Sequence, residues 1–353
     1  MPSASSAEIL STHTPALFAA AVARAAELLR AGEVVALPTE TVYGLAANAL
    51  DERAVARIYA VKGRPAHNPI IVHVASLELA RRCARGWPGR AEVLARAFWP
   101  GPLTLVLPRV AGISELVTAG GDTVGIRWPS HPFIQAVIQA CGFPLAAPSA
   151  NPANQLSPTS AAHVAKWLGE KIPLIVDGGN SNVGIESTVV DLAVSPPRLL
   201  RPGMISALAL NAALAGTGVE LDRKGAGMGA GGGASGGGAL RSPGQLEQHY
   251  SPRAHLVVWT WADEAELARR VREFCVPPAR VTVVAHSQVP LAGGYGRVSV
   301  IPHDAEAFAR ALYGELHACD EAGAELIVVE ALPTTPEWQG IADRLRRAAA
   351  PRR

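Results

Sequence analysis

The feature that most constrains the fold is a glycine-rich run at residues 225–239, which reads GAGMGAGGGASGGGA. A run with so few side chains cannot bury enough apolar surface to order itself, so we expect a flexible segment there. The run divides the chain, and two domains are also the natural expectation for 353 residues. We predict a first domain over 1–215, a flexible segment and connector over 216–253, and a small domain over 254–353.

The first domain mixes β-branched runs with helical patterns, which predicts an α/β domain with a mixed sheet. We predict strands at 34–37, 70–74, 103–107, 124–128, 174–176, 188–192 and 198–200. We predict helices at 51–60, 77–85, 91–98, 132–141, 160–168 and 205–214, and a first helix that begins at Pro15 and ends before Gly32. Thr14, Asp51, Ser76 and Ser160 are suitable N-caps.

The second domain alternates strands with helices, which predicts a small Rossmann-like three-layer α/β domain. The predicted strands are 256–259, 281–285, 298–301 and 326–330, and the predicted helices are 264–275, 305–318 and 337–349. No G-x-G-x-x-G follows the first of these strands, so the dinucleotide-binding fingerprint is missing.

Charge and cysteine usage exclude several classes of protein. The 32 basic and 30 acidic residues give a net charge of +2, which gives little support for a protein that lives on a nucleic-acid backbone. The four cysteines form no C-x-x-C pair, which argues against a zinc site or a disulfide framework. The N-terminus has no signal-peptide pattern, and no apolar run is long enough to span a membrane. We expect a soluble, cytoplasmic protein.

The sequence also lacks the P-loop, zincin and nucleophile-elbow motifs. Instead, the sequence has short polar clusters at strand ends, where open α/β sheets usually place their ligands. The clusters are 38–45, 62–65 with Asn68 and His73, 124–129 around Arg127, 147–152 with 157–159, and 177–179 with 184–188 and 201–203.

Taken singly, each cluster has two explanations. Residues 38–45 fit a capped turn as well as a ligand site. Lys62 and Arg64 can converge on one polyanion, but such a pair is also typical of a solvated surface. His73 in an apolar strand is either a satisfied core residue or a functional one. Arg127, also in an apolar strand, requires an anionic partner, which is either an internal carboxylate or an anionic group of a ligand.

Taken together, the clusters hold three arginines, a lysine, a histidine and several hydroxyl or amide groups. They contain no Cys/His nucleophile pair and no carboxylate dyad. Such a set binds and polarises anions rather than attacking covalently, which indicates nucleotide chemistry with phosphoryl or adenylyl transfer.

In this order, the clusters resemble the YrdC-type threonylcarbamoyl-AMP synthase family. The matching motifs are P-T-E-T-V-Y-G-L, K-x-R-P-x-x-N-P-x-I-V-H-V, W-P-G-P-L-T, V-x-x-R-x-P-x-H-P, A-A-P-S-A-N, S-P-T, D-G-G, E-S-T-V-V-D and L-L-R-P-G. The connector S-P-G-x-x-x-x-H-Y-S-P at 242–252 and the tail G-I-A-D-R-L at 340–345 are similar to the two-domain form. The resemblance implies an open, twisted YrdC-like sheet with helices for the first domain, which would be the catalytic one.

The resemblance also implies roles for individual residues. L-threonine would be held by Thr41, His73, Arg127, the backbone at Ala147, and Ser187. ATP would be held by Lys62, Arg64, Asn68, Thr123, Ser149, Asn151, Ser157 and Arg201, with His249 or Tyr250 closing over it from the connector. The family signature pairs, Lys62 with Arg64 and Ser149 with Asn151, would be the catalytic residues.

The reaction implied by the resemblance joins L-threonine, bicarbonate and ATP into L-threonylcarbamoyl-AMP and pyrophosphate. Mg²⁺ is expected with the ATP, held by phosphates and water, because no carboxylate cage is visible in the sequence. The product would pass to a transferase that modifies the tRNA adenosine beside the anticodon. RNA contact is not required for this, and no membrane partner is expected.

Two other functions fit part of the pattern. A carbamoyl-transfer hydrogenase-maturation enzyme contains a related domain, but such chains carry acylphosphatase and cysteine-rich zinc segments that are absent here. A non-catalytic RNA-binding module could use Lys62 and Arg64 as a phosphate clamp, although the net charge near zero argues against it.

Overall fold

The computed structural model describes residues 6–222, 242, 250–291 and 294–350. The glycine-rich run, most of the connector and His249 lie outside these residues. The predictions made for them therefore stay predictions.

Within the described part of the chain, the first domain is built on a ten-stranded mixed sheet. Its strands are β1 (Glu8–Ser11), β2 (Val35–Leu37), β3 (Gly44–Asn48), β4 (Val72–His73), β5 (Leu103–Pro108), β6 (Thr123–Arg127), β7 (Leu145–Ala146), β8 (Leu174–Asp177), β9 (Thr188–Asp191) and β10 (Arg198–Arg201). Their spatial order is β1-β8-β2-β3-β7-β4-β6-β5-β9-β10. Four pairs of neighbouring strands are parallel: β1 with β8, β8 with β2, β4 with β6, and β5 with β9. The other five pairs of neighbours are antiparallel. The predicted mixed sheet is confirmed.

Helices cover both faces of this sheet. They are α1 (Pro15–Arg30), α2 (Glu52–Lys62), α3 (Leu77–Cys83), α4 (Gly89–Phe98), α5 (Glu115–Thr118), α6 (Pro132–Cys141), α7 (Ala161–Leu168) and α8 (Ala207–Leu214). Buried side chains of α1 and α6 form the core on one face, and those of α2, α4, α7 and α8 contribute to the core on the other. The four predicted N-caps each accept a backbone N–H at the start of their helix, which confirms them.

Four elements of the first domain are missing from the sequence prediction: β1, β3, β7 and α5. Strand β3 reads GLAAN, and its small residues have low β propensity. It is held in place by antiparallel pairing with β2 on one side and β7 on the other. The short strand β7 and the single-turn helix α5 give too few residues for a periodic pattern.

The second domain has, in its described residues, a four-stranded parallel sheet in the order β11-β14-β12-β13. Its elements are β11 (His255–Trp259), α9 (Glu264–Glu273), β12 (Val281–Ala285), β13 (Arg297–Val300), α10 (Ala305–Glu321), β14 (Leu326–Glu330) and α11 (Gln339–Ala348). Leu267 and Val271 of α9 pack on one face of the sheet, while α10 and α11 pack on the other. The predicted three-layer domain is confirmed.

The two domains share a packed junction. Val42, Leu156 and Ile185 of the first domain belong to the same buried cluster as Phe308 and the rest of the α10 and α11 core. At the start of α11, a Cβ added to Gly340 would lie 2.7 Å from the carbonyl oxygen of Gly203, so this close approach requires glycine. None of the described helices has the length and hydrophobicity needed to cross a membrane.

Candidate active site

A narrow cavity of ≈ 50 Å³ lies against β4, β6 and β7. The register of the sheet places His73 beside Arg127 and opposite Leu145, two residues before Ala147. Nine of the predicted site residues line the cavity: Thr41, Arg64, His73, Arg127, Ala147, Ser149, Ser187, Arg201 and Tyr250. Segments that are far apart in the sequence therefore meet at one place, as their polar character predicted.

A smaller pocket adjoins this cavity and shares Arg64 and Ser149 with it. Three more predicted residues line the pocket: Lys62, Asn68 and Asn151.

Arg127 faces a buried carboxylate, Glu40, with 2.8 Å between Nη2 and Oε1. Of the two partners that the sequence allowed, the internal carboxylate is therefore present. The ion pair is close but poorly aligned, because Nε and Nη2 of Arg127 and both oxygens of Glu40 lack a hydrogen-bond partner among the described residues. Buried charged groups normally complete their hydrogen bonds, so this arrangement leaves donors for a ligand carboxylate.

His73 lies beside Arg127 and is uncharged at neutral pH. Burial, together with the smaller effect of the charge of Arg127, lowers the pKa of His73 to about 3. Its Nδ1 atom has no hydrogen-bond partner in the described chain. A neutral imidazole can either donate or accept a hydrogen bond, so His73 can contact a hydroxyl or amine of a small substrate.

Lys62, Ser149 and Asn151 form one hydrogen-bonded group at the smaller pocket. The Lys62 Nζ donates to the carbonyl oxygens of Ser149 (2.6 Å) and Asn151, and the Ser149 hydroxyl donates to Asn151 Oδ1 (2.5 Å). Burial lowers the pKa of Lys62, and the nearby charge of Arg64 adds to this effect. Burial also lowers the pKa of Arg64 to about 10, which leaves Arg64 charged at neutral pH.

Ser187 and Arg201 form the opposite wall. The Arg201 guanidinium donates from Nε to the Ser187 carbonyl and from Nη2 to the Ser187 hydroxyl, both at 3.1 Å. The same hydroxyl lies 2.8 Å from that of Thr104. The Thr41 hydroxyl lies 3.0 Å from that of Thr39. These buried hydroxyls are held in fixed positions before any ligand binds.

Two of the predicted residues in the described chain, Ser157 and Thr123, do not line the cavity or the smaller pocket. Ser157 is buried and donates to Glu186 Oε1 at 2.5 Å. Thr123 begins β6, four residues before Arg127, which is roughly 13 Å along an extended strand. His249 lies outside the described residues. Their roles in ATP binding stay predictions.

Sequence reasoning missed Glu186, although this carboxylate lines the cavity. It accepts hydrogen bonds from Ser157 in the first domain and from Tyr313 and Arg344 in the second. Burial alone would raise the pKa of Glu186, but the charges of Arg344 and Arg201 outweigh it and lower the pKa. In the sequence, Glu186 lies in the polar cluster 184–188 and begins the motif E-S-T-V-V-D, but no role was assigned to it.

A larger cavity of ≈ 470 Å³ lies in the second domain, between the carboxyl ends of β11 and β14 and helix α11. Its walls are mainly apolar, with Arg346 at one side, and they include none of the predicted site residues. Size therefore does not identify the active site here, whereas the convergence of buried polar groups does.

Comparison with known proteins assigns the family. A model described as "Telomere recombination" matches residues 27–203, and one described as "Threonylcarbamoyl-AMP synthase, C-terminal domain" matches residues 205–350. The threonylcarbamoyl-AMP synthase of Pyrococcus abyssi is 38% identical over 92% of this chain and 93% of its own. The threonylcarbamoyl-AMP synthase of Bacillus subtilis is 40% identical, and the match covers 97% of this chain and 95% of its own. The chain belongs to the threonylcarbamoyl-AMP synthase family.

A solved structure of a double alanine variant of Pyrococcus abyssi Sua5 superposes with a TM-score of 0.85 at 36% identity, and covers 97% of this chain and 96% of that chain. The structure of Pyrococcus abyssi Sua5 complexed with L-threonine superposes with a TM-score of 0.83 at 37% identity. The match covers 93% of this chain and 94% of that chain. The family resemblance and the fold class are thus confirmed, and the chain is an enzyme of the threonylcarbamoyl-AMP synthase kind. A non-catalytic RNA-binding module and a hydrogenase-maturation enzyme do not account for matches over both domains.

Proposed function

We propose that this protein makes L-threonylcarbamoyl-AMP and pyrophosphate from L-threonine, bicarbonate and ATP. The observation that carries the proposal is the cavity itself. It places an arginine and a neutral histidine with unused hydrogen-bonding atoms next to a second group of buried cations, Lys62, Arg64 and Arg201. The part of the site around Arg127 and His73 suits an amino acid, and the part around Lys62, Arg64 and Arg201 suits a polyphosphate. The names of the relatives and a relative's complex with L-threonine support this assignment.

In the proposed threonine subsite, the carboxylate of the substrate pairs with Arg127, whose Nε and Nη2 make no hydrogen bond within the described chain, although Nη2 lies close to Glu40. His73, Thr41 and Ser187 contact the amine and hydroxyl groups. The Ala147 N–H already donates to Ile71, so a contact at Ala147 would use its carbonyl oxygen. The hydroxyl-rich wall would select threonine over an amino acid of the same shape without a hydroxyl.

In the proposed ATP subsite, Lys62, Arg64 and Arg201 offset the charge of the triphosphate. Burial lowers the pKa of each of these three groups, which means that their charged forms are poorly solvated without a ligand. An anion between them would reverse that effect and would therefore bind favourably. Ser149, Asn151 and Asn68 provide neutral polar groups beside the cations, and the Asn68 Oδ1 has no partner among the described residues.

The proposed chemistry has two steps. In the first, the threonine amine attacks CO₂ derived from bicarbonate and loses a proton, which gives N-carboxy-threonine and releases water from the bicarbonate. In the second, an oxygen of that carbamate attacks the α-phosphorus of ATP, and the bond from this phosphorus to the β-phosphate oxygen breaks, which releases pyrophosphate. The cations of the site stabilise the charge that moves to the departing pyrophosphate.

We propose Mg²⁺ as the ion that accompanies ATP. The described residues hold no group of three or more His, Cys, Asp and Glu side chains placed for one metal ion. The two carboxylates at the cavity, Glu40 and Glu186, each face an arginine. This donor set fits an ion held by phosphates and water rather than by a protein cage. Bound in that way, Mg²⁺ would offset phosphate charge.

We further propose that the product passes to a transferase that attaches the threonylcarbamoyl group to the tRNA adenosine beside the anticodon. A carbamoyl-phosphate mixed anhydride reacts with water, so a narrow cavity that limits the access of water would protect it until transfer.

The proposal is tested by pyrophosphate release from the purified full-length chain with ATP, Mg²⁺, bicarbonate and a panel of amino acids. We expect release that needs both bicarbonate and L-threonine. Release that is independent of bicarbonate, or equal for all amino acids, would contradict it.

A further inference from the structure

Arg344 of helix α11 reaches out of the second domain into the wall of the active-site cavity. Its side chain is fully buried. Nε donates to Glu186 Oε2 at 2.6 Å, and Nη2 donates to the Glu186 carbonyl oxygen at 3.0 Å. Nη1 donates to the carbonyl oxygen of Pro202 at 2.9 Å. One guanidinium therefore joins two segments of the first domain.

Both segments carry residues of the proposed site. Glu186 and Ser187 come directly before β9, and Pro202 follows Arg201 at the end of β10. The guanidinium also lies over the ring of Tyr250, with 5.5 Å between its Cζ and the ring centroid, and Tyr250 lines the same cavity. Arg344 thus contacts three pieces of the wall without lining the cavity itself.

The charges around Glu186 explain why this contact matters for ATP. Two buried arginines, Arg344 and Arg201, both favour the charged form of this carboxylate and lower the pKa of Glu186. The direct ion pair is with Arg344, while Arg201 donates to Ser187. If Arg344 were lost, the uncompensated Glu186 would attract Arg201 and draw it away from the phosphates.

We propose that Arg344 is a positioning residue of the synthase site: it neutralises Glu186 and fixes Ser187 and Arg201 for substrate binding. The second domain thereby completes the electrostatics of the catalytic cavity. This inference rests on the proposed function, because Arg201 is assigned to the ATP phosphates there.

The test compares four full-length variants: Arg344→Ala, Glu186→Gln, the double variant, and Arg346→Ala. Arg346 is a control for the loss of an arginine on α11, because it lies one half-turn away and has a side chain that is 47% exposed. It pairs with Oδ1 of Asp343, whereas Arg344 contacts Oδ2 of the same carboxylate at 3.1 Å. ATP affinity is measured by calorimetry, and kcat and KM are measured by pyrophosphate release. Melting temperature verifies the fold, and Arg344→Lys replaces Arg344→Ala throughout if the alanine variant does not fold.

We expect Arg344→Ala to lower kcat/KM on the order of 100-fold, as for other losses of positioning, and to weaken ATP binding. Adding Glu186→Gln should restore part of both losses, since no carboxylate then competes for Arg201. Arg346→Ala should match the wild type. A double variant as impaired as Arg344→Ala, or an equal loss in Arg346→Ala, would overturn the inference.

The two hypotheses fail separately. A wild-type chain that binds ATP but releases no pyrophosphate would refute the proposed function alone. Calorimetry would still measure whether Glu186→Gln restores the ATP affinity lost in Arg344→Ala, and an unrestored affinity would refute the positioning role.

Discussion

The rings of His163 and His317 stack across the domain junction, with centroids 3.9 Å apart and planes inclined by 21°. His163 belongs to α7 of the first domain and His317 to α10 of the second. The His317 Nε2 atom also lies 3.2 Å from the carbonyl oxygen of Ser157. The two domains are therefore joined by a stacked pair of like titratable groups, and a positive charge on both rings would destabilise this contact.

The first prediction concerns pH. Burial, and then the charge of His317, lower the pKa of His163 to about 4, and burial lowers the pKa of His317. Because both pKa values are lower in the folded than in the unfolded chain, the unfolded chain binds more protons below its own histidine pKa of about 6.5. We expect stability to fall as the pH is lowered from about 6.5 to 4. Melting temperatures across this range test the prediction.

Other buried groups also titrate in acid, so the variant His163→Phe separates the contribution of the stack. This variant keeps an aromatic ring stacked against His317 and removes one of the two titratable groups. We expect a shallower loss of melting temperature between pH 6.5 and 4 than in the wild type. Parallel curves for the two proteins would show that the stacked pair does not control acid stability.

The second prediction concerns Arg127. Arg127→Ala should weaken threonine binding by roughly 2–5 kcal/mol, because a buried arginine–carboxylate pair is lost, and should affect ATP binding less. Titration calorimetry with each ligand checks this. Arg198→Ala is the control, since Arg198 lies on β10 with its side chain 50% exposed and pairs with Asp222. Unchanged threonine affinity in Arg127→Ala would remove this residue from the site.

The third prediction concerns the hydroxyl of the substrate. L-Valine has the shape of L-threonine with a methyl group in place of the hydroxyl. Thr41, Ser187 and His73 are buried and would be left with an unmet hydrogen bond, so we expect valine to be rejected by a factor on the order of 10⁴ in kcat/KM. Pyrophosphate release measures the ratio. Equal rates with the two amino acids would exclude recognition of the hydroxyl.

The fourth prediction concerns Tyr250, which is buried, lines the cavity and has a backbone φ of +63°. We expect Tyr250→Ala to lower the synthase rate by at least about 10-fold, since it opens the cavity to water and removes the ring that packs on Arg344. Tyr250→Phe, which keeps the ring, should retain most of the rate. If the two variants are equally active, then closure by the ring is not needed for synthesis.

The sequence was informative where the chemistry lies in short local motifs. Lys62 with Arg64, and Ser149 with Asn151, are close in the chain and belong to polar clusters that were expected at strand ends, so their convergence at one edge of the sheet agrees with the fold class. Arg127 was correctly expected to need an anionic partner. Which partner it has could not be predicted, because Glu40 lies 87 positions away and nothing in the pattern pairs the two.

The rest depends on contacts between distant segments. Arg344 and Glu186 are 158 positions apart, and each is an ordinary charged residue in its own local pattern. Only the packing of α11 against the first domain brings them together. Strand β3 was missed for a related reason, since its small residues form a strand only because β2 and β7 provide hydrogen-bond partners on both sides.

The most direct test of the central claim is to follow ¹³C-labelled bicarbonate into the product by mass spectrometry, with the full-length chain, ATP, Mg²⁺ and L-threonine. The account predicts a compound that contains one threonine, one labelled carbon and one AMP group, formed in equal amount with pyrophosphate. Adenylated threonine without the label, or the release of ADP and phosphate instead of pyrophosphate, would contradict it.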